Sequence, residues 1–436
     1  MKNKQNLALA IATVTIGVLA GLGAVLLSGF LELVLHVIFN FAETAQHPYA
    51  VVSPLHRVLA IVGGGIVAAI IWWVIRNRLK PTVSVKDAVA GAQMSGLTTV
   101  LHTFTQMLYV GVGGSVGREL APREFAAMLS QWWQRVLHKW LHIQLSPDDS
   151  HLLVAAAAGA GFAGVYIAPV TGMLFSVEIL YKKVTRRAVL VSLSMSMIAM
   201  GVGSLLKGFR PYYLVGPQAF APKIVVLAVV IGPLCGVIGA YFRRAIQWAS
   251  LRQAQRRPLL WQLPLAALIT GLVAIKFPQV TGNGRALAQL VFNTHSTQVL
   301  GWLVLGALVK ALVTLLSLKA GAAGGTLTPS IAVGSAIGAL LSVLMPSLPL
   351  WQAAMIGAAS LLAVTQQAPL MAMFMLIEVS HLNYSAFLPL GVGIVLAMCV
   401  ANFFLPQRTT REAGETETAE RLQAKAERIL KQEDDA

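Results

Sequence analysis

Apolar residues in this chain are gathered into long runs, and polar residues are concentrated in the short segments between those runs. A helix needs about 20 residues to cross the hydrocarbon core of a bilayer. Several runs reach that length, whereas others are shorter and are bounded by glycine or proline. The runs cover approximately residues 7–40, 56–75, 88–112, 117–138, 152–165, 168–181, 188–207, 222–248, 258–276, 298–318, 326–345, 350–364, 368–380 and 385–405.

Some of these runs, such as 152–165, 350–364 and 368–380, are too short to cross a bilayer. A helix can end inside the membrane only where its unpaired backbone groups face protein or a water-filled cavity. The pattern therefore predicts an all-α polytopic membrane protein in which tilted and broken helices point their ends inward.

The second half of the chain loosely repeats the first half about 200 positions downstream. The segment 114–122 recurs as 321–329, and a second set recurs later in each half: Ala168, Pro169, Met173 and Glu178 correspond to Ala368, Pro369, Met373 and Glu378. Transporters built from inverted repeats place their site where broken helices of the two repeats meet. We therefore predict two membrane repeats of opposite topology, residues 1–207 and 222–405, and a polar cytoplasmic tail, residues 406–436.

The charge distribution supports a membrane protein. Only 11% of the residues are charged, whereas soluble domains carry about 25%. The net charge of +16 does not indicate a nucleic-acid partner, because the Lys and Arg residues cluster in short loops, 76–80, 182–187 and 243–257. Such loops mark the cytoplasmic side of a membrane protein. We therefore expect a multi-pass cell-membrane protein with both termini in the cytoplasm.

Cofactor and metal chemistry have no signal in this sequence. The nine histidines show no metal-ligand spacing, and Cys235 and Cys399 stand alone in apolar runs. We expect no metal, no cofactor and no catalytic residue, and hence no enzyme. A membrane-embedded enzyme would need a nucleophile, a metal or an acid–base pair, and a membrane scaffold or sensor would leave Glu119 unexplained.

The candidate chemistry begins with the segment Gly114-Ser-Val-Gly117-Arg118-Glu119, which precedes an apolar run. Glycine lets backbone N–H groups approach a ligand, and the start of a helix carries a partial positive charge. Together these features bind anions without a fixed cation. A carboxylate at this place is a tethered competitor for the anion, and protonation would release it. Alternatively, Arg118 and Glu119 form a structural ion pair or lie at the surface, although intramembrane charges are costly to keep.

The corresponding segment of the second half, 321–329, lacks a charge. Gly324 and Gly325 free the backbone, and Thr326 and Thr328 offer hydroxyl groups. Opposed to the first segment, it would supply further N–H donors to the same anion. A glycine-rich contact between packed helices explains the composition equally well.

Glu178 and Glu378 each end a short apolar segment that begins with Ala-Pro. Because they occur in both halves, we predict first that they accept hydrogen bonds from helix-start amides, and only second that they line an ion path.

These motifs, in this order, resemble those of the CLC chloride channel and transporter family over nearly the whole chain up to Pro406. The segment 117–119 resembles its Gly-Arg-Glu-Gly-Pro motif, and 325–329 resembles its Gly-x-Phe-x-Pro motif. The Lys310 to Gly324 region, Gly282-Asn-Gly-Arg285 and the two Ala-Pro segments fall in family order.

The resemblance implies a homodimer in the lipid bilayer, each subunit having its own anion path. It also implies that Glu119 is the external gating and proton-binding glutamate. The anion-binding residues that it implies, mainly through their backbone amides, are Gly117, Arg118, Leu120, Gly325, Thr326, Leu327 and Thr328.

The sequence also departs from the family pattern. The serine motif is missing, and Lys80, Pro81 and Thr82 are the best-fitting replacement; the inner tyrosine has no counterpart, and Thr410 stands near its place. Ile179 occupies the position of the antiporters' internal proton glutamate. We therefore predict transport of chloride or a similar small monovalent anion, gated by Glu119. Proton antiport, passive conduction and fluoride export remain open at this point.

Overall fold

The computed structural model describes residues 2–141, 145–216 and 219–405, and within these ranges the regular structure is helical. Apolar runs flanked by glycine, proline and small caps produce this pattern. The helices are α1 Lys2–Phe39, α2 Pro54–Arg78, α3 Val85–Val89, α4 Gly96–Gly111, α5 Leu120–Leu141, α6 Pro147–Tyr166, α7 Pro169–Leu174, α8 Arg186–Lys207, α9 Ile224–Leu251, α10 Arg256–Lys276, α11 Arg285–Phe292, α12 Leu300–Lys319, α13 Leu327–Leu341, α14 Leu350–Gln366, α15 Pro369–Val379 and α16 Phe387–Phe404.

Eight helices in the described ranges are long and apolar enough to cross a membrane. They are α1, α2, α8, α9, α10, α12, α13 with the short turn that follows it, and α16 with the short turn before it. Shorter apolar helices lie between them, including α14, α15 and the segment Pro169–Tyr181. The predicted all-α polytopic fold class is confirmed.

The apolar run 88–112 does not form a single helix. It is divided between α3 and α4, because the chain turns at Ala90–Ser95. Gly91 has φ +108°, a conformation that residues with a Cβ rarely adopt. Helix α11, which begins at Arg285, was not among the predicted apolar runs.

Both halves contain a helix that is broken in the same way. Helices α6 and α14 are followed by Ile167 and Gln367, both with φ 55°, and α7 and α15 then begin at Pro169 and Pro369. Proline suits the first helical position because its missing N–H would be unpaired there in any case. The first copy continues as a π-helix over Phe175–Tyr181, whereas the second stays α-helical. This correspondence supports the predicted division into repeats, whose boundaries remain a prediction.

Within each half the helices pack through small residues. Helix α6 packs on α1 and α8, while α9 packs on α16 and α14, and α13 packs on α14. At the α13–α14 contact, a Cβ on Gly334 would lie 2.4 Å from the carbonyl oxygen of Gly357. Such close backbone approach is typical of membrane helices, where tight packing replaces hydrophobic burial as the driving force.

Candidate anion site

The amino-terminal ends of α5 and α13 meet in the interior of the molecule. The Gly117 N–H donates to the Gly325 carbonyl at 2.6 Å, and the Gly325 N–H donates to the Gly117 carbonyl at 2.8 Å. This isolated antiparallel bridge joins the two glycine-containing motifs directly. Two helix starts, each carrying a partial positive charge, therefore converge on one place.

Glu119 lies at this junction and is fully buried. Its Oε1 accepts a hydrogen bond from the Leu327 N–H at 2.6 Å, and its Oε2 lies 3.4 Å from the Thr328 hydroxyl. The structure thus brings Glu119 and Leu327 together across the two halves, as the motifs predicted. Its carboxylate, an anion, is bound by the amide at the start of α13.

The glycines on both sides of the carboxylate are required by its position. A Cβ on Gly325 would lie 2.0 Å from Glu119 Oε1, and a Cβ on Gly117 would lie 2.3 Å from Oε2. No side chain can replace glycine at either place unless the carboxylate moves. The glycine spacing therefore serves close approach of an anionic group.

The other predicted anion-site residues lie around this junction. Leu120 begins α5, and Thr326 precedes α13, where its hydroxyl lies 3.4 Å from Gln366 Nε2. Arg123 Nε donates to the Glu119 carbonyl at 2.7 Å. Arg118 directs its guanidinium elsewhere, to the carboxylate of Glu43 at 3.0 Å. Arg118 and Glu119 therefore do not form the ion pair that was the alternative interpretation.

A buried lysine holds the segment 114–122 against the second half of the chain. Lys310 Nζ donates to the Gly282 carbonyl at 2.6 Å, to Ser115 Oγ at 2.8 Å and to the Val280 carbonyl at 3.0 Å. An unpaired buried ammonium is very costly, and these three acceptors compensate for that cost. The sequence placed Lys310 in a motif but indicated no role for it.

Comparisons with known proteins identify the family of this chain. Residues 64–402 match the family model described as voltage gated chloride channel. The chain belongs to the voltage-gated chloride channel, or CLC, family.

Two curated relatives illustrate the range of the CLC family. The voltage-gated ClC-type chloride channel ClcB of Salmonella typhimurium is 30% identical over 420 residues, which are 90% of this chain and 94% of that protein. The H(+)/Cl(-) exchange transporter ClcA of Vibrio campbellii is 27% identical over 416 residues, which are 88% and 84% of the two chains. Their names therefore include both a channel and an exchanger.

Two solved structures share the fold. A slow cyanobacterial Cl-/H+ antiporter has a TM-score of 0.74 and 21% identity, with 90% of this chain and 94% of that chain covered. A CLC-type fluoride/proton antiporter has a TM-score of 0.64 and 22% identity, with 91% and 96% covered.

The substitutes predicted for the missing CLC serine motif lie apart from Glu119. Lys80, Pro81 and Thr82 are exposed in the connection between α2 and α3, where Ser84 caps α3. No hydrogen bond links them to the Glu119 junction among the described residues, and their role stays a prediction. Thr410 lies outside the described residues. The described residues also contain no group of three or more His, Cys, Asp and Glu side chains arranged for a metal ion.

A second pair of carboxylates joins the two halves reciprocally. Glu378, near the end of α15, accepts from the Val170 N–H at 2.8 Å, the Thr171 N–H at 2.7 Å and the Thr171 hydroxyl at 2.6 Å at the start of α7. Glu178 accepts from the Met371 N–H at 2.9 Å and the Leu370 N–H at 3.4 Å at the start of α15. The predicted bonding to helix-start amides is present, and each glutamate binds the helix of the opposite half.

Proposed function

We propose that this protein transports chloride or a similar small monovalent anion across the cell membrane, and that the Glu119 carboxylate is its gate. One observation carries the proposal: the Glu119 carboxylate accepts the hydrogen bond of the Leu327 N–H at the start of α13. An anion that reaches this place competes with the carboxylate for the same donors. A protonated Glu119 has no negative charge to compete with, so the anion displaces it more easily.

Proton exchange follows from the same group. A carboxyl group that leaves its site protonated and returns ionised carries one proton for each cycle, and alternation with an anion couples the two movements. The printed names of the Vibrio relative and of the two solved antiporters support coupled exchange in this chain. We therefore propose anion/proton antiport through Glu119.

Passive conduction is the second candidate, and one residue favours it. Ile179, which follows the reciprocally bound Glu178, is apolar and cannot receive a proton from Glu119 on the inner side. Water could then relay protons across the inner half of the path. We expect weak coupling if this water path is slow, and no coupling if it is absent.

The orientation and assembly are part of the proposal. Helices α1 and α8 begin on the side of the basic loops, which we assign to the cytoplasm. Their ends, followed by Glu43 and Arg210, therefore face outward. We further propose a homodimer with two separate anion paths, cytoplasmic termini and membrane repeats over 1–207 and 222–405.

One experiment decides among these functions. Purified protein is reconstituted in liposomes, and efflux of chloride or fluoride is recorded together with the pH of the medium. Chloride efflux with proton uptake supports antiport, and efflux without proton movement supports passive conduction. Fluoride efflux that greatly exceeds chloride efflux would identify a fluoride exporter. Liposomes that release neither anion faster than protein-free liposomes would refute anion transport.

A further inference from the structure

A cavity of about 490 Å³ adjoins the segment 114–122 on the side that we assign to the exterior. It is bounded by the ends of α1, α6 and α8 and by the start of α11. Its charged and aromatic lining consists of Glu32, Glu43, Arg118, Tyr166, Arg210, Tyr212 and Arg285. A concave, low-dielectric surface with excess positive charge raises the local concentration of anions.

Two arginines from different halves share one carboxylate in this cavity. Glu43 Oε2 lies 3.0 Å from Arg118 Nη1 and 3.5 Å from Arg285 Nη1. The side chains of Arg118 and Arg285 are only 6% and 8% exposed, and that of Glu43 is 15% exposed. The cluster therefore holds two buried positive charges and one negative charge.

The position of the Arg285 guanidinium is held by groups other than Glu43. Arg285 donates from Nε and Nη2 to the Tyr212 carbonyl at 3.1 and 2.8 Å. The Tyr212 ring lies 4.1 Å from the Arg285 guanidinium and 5.1 Å from that of Arg118. Asn283 holds the same ring by donating to its hydroxyl at 2.9 Å. Arg285 is therefore preorganised by its contacts with Tyr212, and the same ring lies beside Arg118.

Arg118 also retains unused donor capacity. Its Nε atom is buried and has no hydrogen-bond partner among the described residues. A guanidinium has five N–H donors arranged for planar anions and carboxylates. Arg118 and Glu43 line a second, smaller cavity of about 70 Å³ as well. The Glu43–Arg118 contact thus lies between two spaces that small solutes can enter.

We propose that Arg118 and Arg285 form an outer binding subsite for a small monovalent anion, and that Glu43 is a tethered carboxylate which competes for it. This inference rests on the proposed function, whose gate Glu119 directly follows Arg118. The arrangement repeats the logic of Glu119: a carboxylate of the protein occupies donors that suit the transported anion. Here the donors are two guanidinium groups instead of a helix-start amide.

The charge arithmetic explains why Glu43 would control the subsite. With its carboxylate in place, the three groups have a net charge of +1, and an anion must displace Glu43 or share the arginines with it. Without the carboxylate the net charge is +2, and one monovalent anion restores the native balance. The Glu43→Gln variant keeps the size of the side chain and removes the competing charge.

Chloride uptake into liposomes tests this inference when external chloride is varied. We expect Glu43→Gln to lower the half-saturating chloride concentration by about threefold or more, since close charge pairs at interfaces are commonly coupled by this much or more. Arg285→Lys, which keeps the charge but loses the fork of donors, is expected to raise it. Glu32→Gln is the matched control, because Glu32 lines the same cavity but is exposed.

A structural measurement covers the case in which a variant folds poorly. Bromide, whose anomalous scattering identifies it, is soaked into crystals of the native protein and of Glu43→Gln. We expect a bromide peak between Arg118 and Arg285 that is stronger in the variant. No peak there in either crystal, together with unchanged half-saturation in Glu43→Gln, would overturn the subsite.

The two proposals fail in different ways. If native liposomes show no anion flux but bromide binds the arginine pair, the proposed function is refuted and the subsite stands. If anion flux is present but neither Glu43→Gln nor Arg285→Lys alters its concentration dependence and no bromide binds, the subsite alone is refuted.

Discussion

Two junctions in this CLC protein use the same chemistry for different ends. At both, a glutamate of one half accepts hydrogen bonds from amides at the start of a helix in the other half. Glu378 ends a regular helix and receives three donors, two of them backbone amides. Glu119 precedes its helix, lies between glycines and receives one backbone donor from Leu327. A carboxylate with few donors on a glycine-rich segment can leave its site, whereas one with many donors on a helix stabilises the fold.

The largest expected effect is on proton transport, which should depend on Glu119 but not on Glu378. Glu119→Gln imitates the protonated gate, so anion flux should continue while proton movement and the rise of flux at lower external pH are lost. Glu378→Gln, the matched control, should retain both. Liposome flux recorded with pH measures the difference. Proton pumping by Glu119→Gln, driven by an anion gradient, would refute the assignment of Glu119 as proton carrier.

The next expected effect concerns the space for the gate. A Cβ on Gly325 would lie 2.0 Å from Glu119 Oε1, so Gly325→Ala should expel the carboxylate from the Leu327 amide. We expect anion flux that depends less on external pH than in the native protein. Gly391→Ala is the control, since no atom lies within 4 Å of a Cβ there. A native pH dependence in Gly325→Ala would show that the carboxylate does not close the path in this position.

A smaller effect, on stability, should mark the second junction. Hydrogen bonds to charged groups contribute about 1.5–3 kcal/mol each. Glu378→Gln removes the charge and replaces one of the two accepting oxygens with an NH2 donor, which cannot bond the N–H group that faces it. We expect a lower melting temperature in detergent for Glu378→Gln, and a smaller decrease for Glu178→Gln, whose Leu370 contact is long at 3.4 Å. Equal melting temperatures for all three proteins would argue against a stabilising role for the reciprocal pair.

The smallest expected effect lies outside both junctions. The tail contains eight of the 17 acidic residues of the chain and few apolar ones, so truncation before Thr410 should leave anion flux close to native. Flux and proton uptake in the same liposome assay measure this. Complete loss of flux in a truncated protein that still elutes as a single species would mean that the tail contributes to the inner part of the path.

Much of this organisation could be read from the sequence because it depends on local composition. Apolar runs bounded by glycine and proline predict membrane helices, and the offset between 114–122 and 321–329 predicts which segments correspond. The importance of Glu119 could be predicted for the same reason. A carboxylate that follows two glycines and an arginine in an otherwise apolar run is costly, and that cost indicates a function.

The contact of Glu43 with Arg118 and Arg285 could not be predicted from the sequence. Glu43 lies in the α1–α2 connection, far along the chain from both arginines. One signal existed, since Glu43 is one of only nine acidic residues before Pro406, but scarcity does not identify a partner. The division of run 88–112 was missed as well, because the turn at Gly91 depends on backbone conformation that apolar composition does not reveal.

The amino-acid sequence by itself therefore determined the helical membrane class, and it predicted two related halves and a gating role for Glu119, since these follow from hydropathy, repetition and the cost of an intramembrane charge. Only the tertiary structure decided which groups meet: Glu119 with the Leu327 amide, Glu178 and Glu378 with the opposite halves, and Glu43 with two arginines. Each of these contacts joins residues distant in sequence. Their geometry is set by helix packing, which no local pattern specifies.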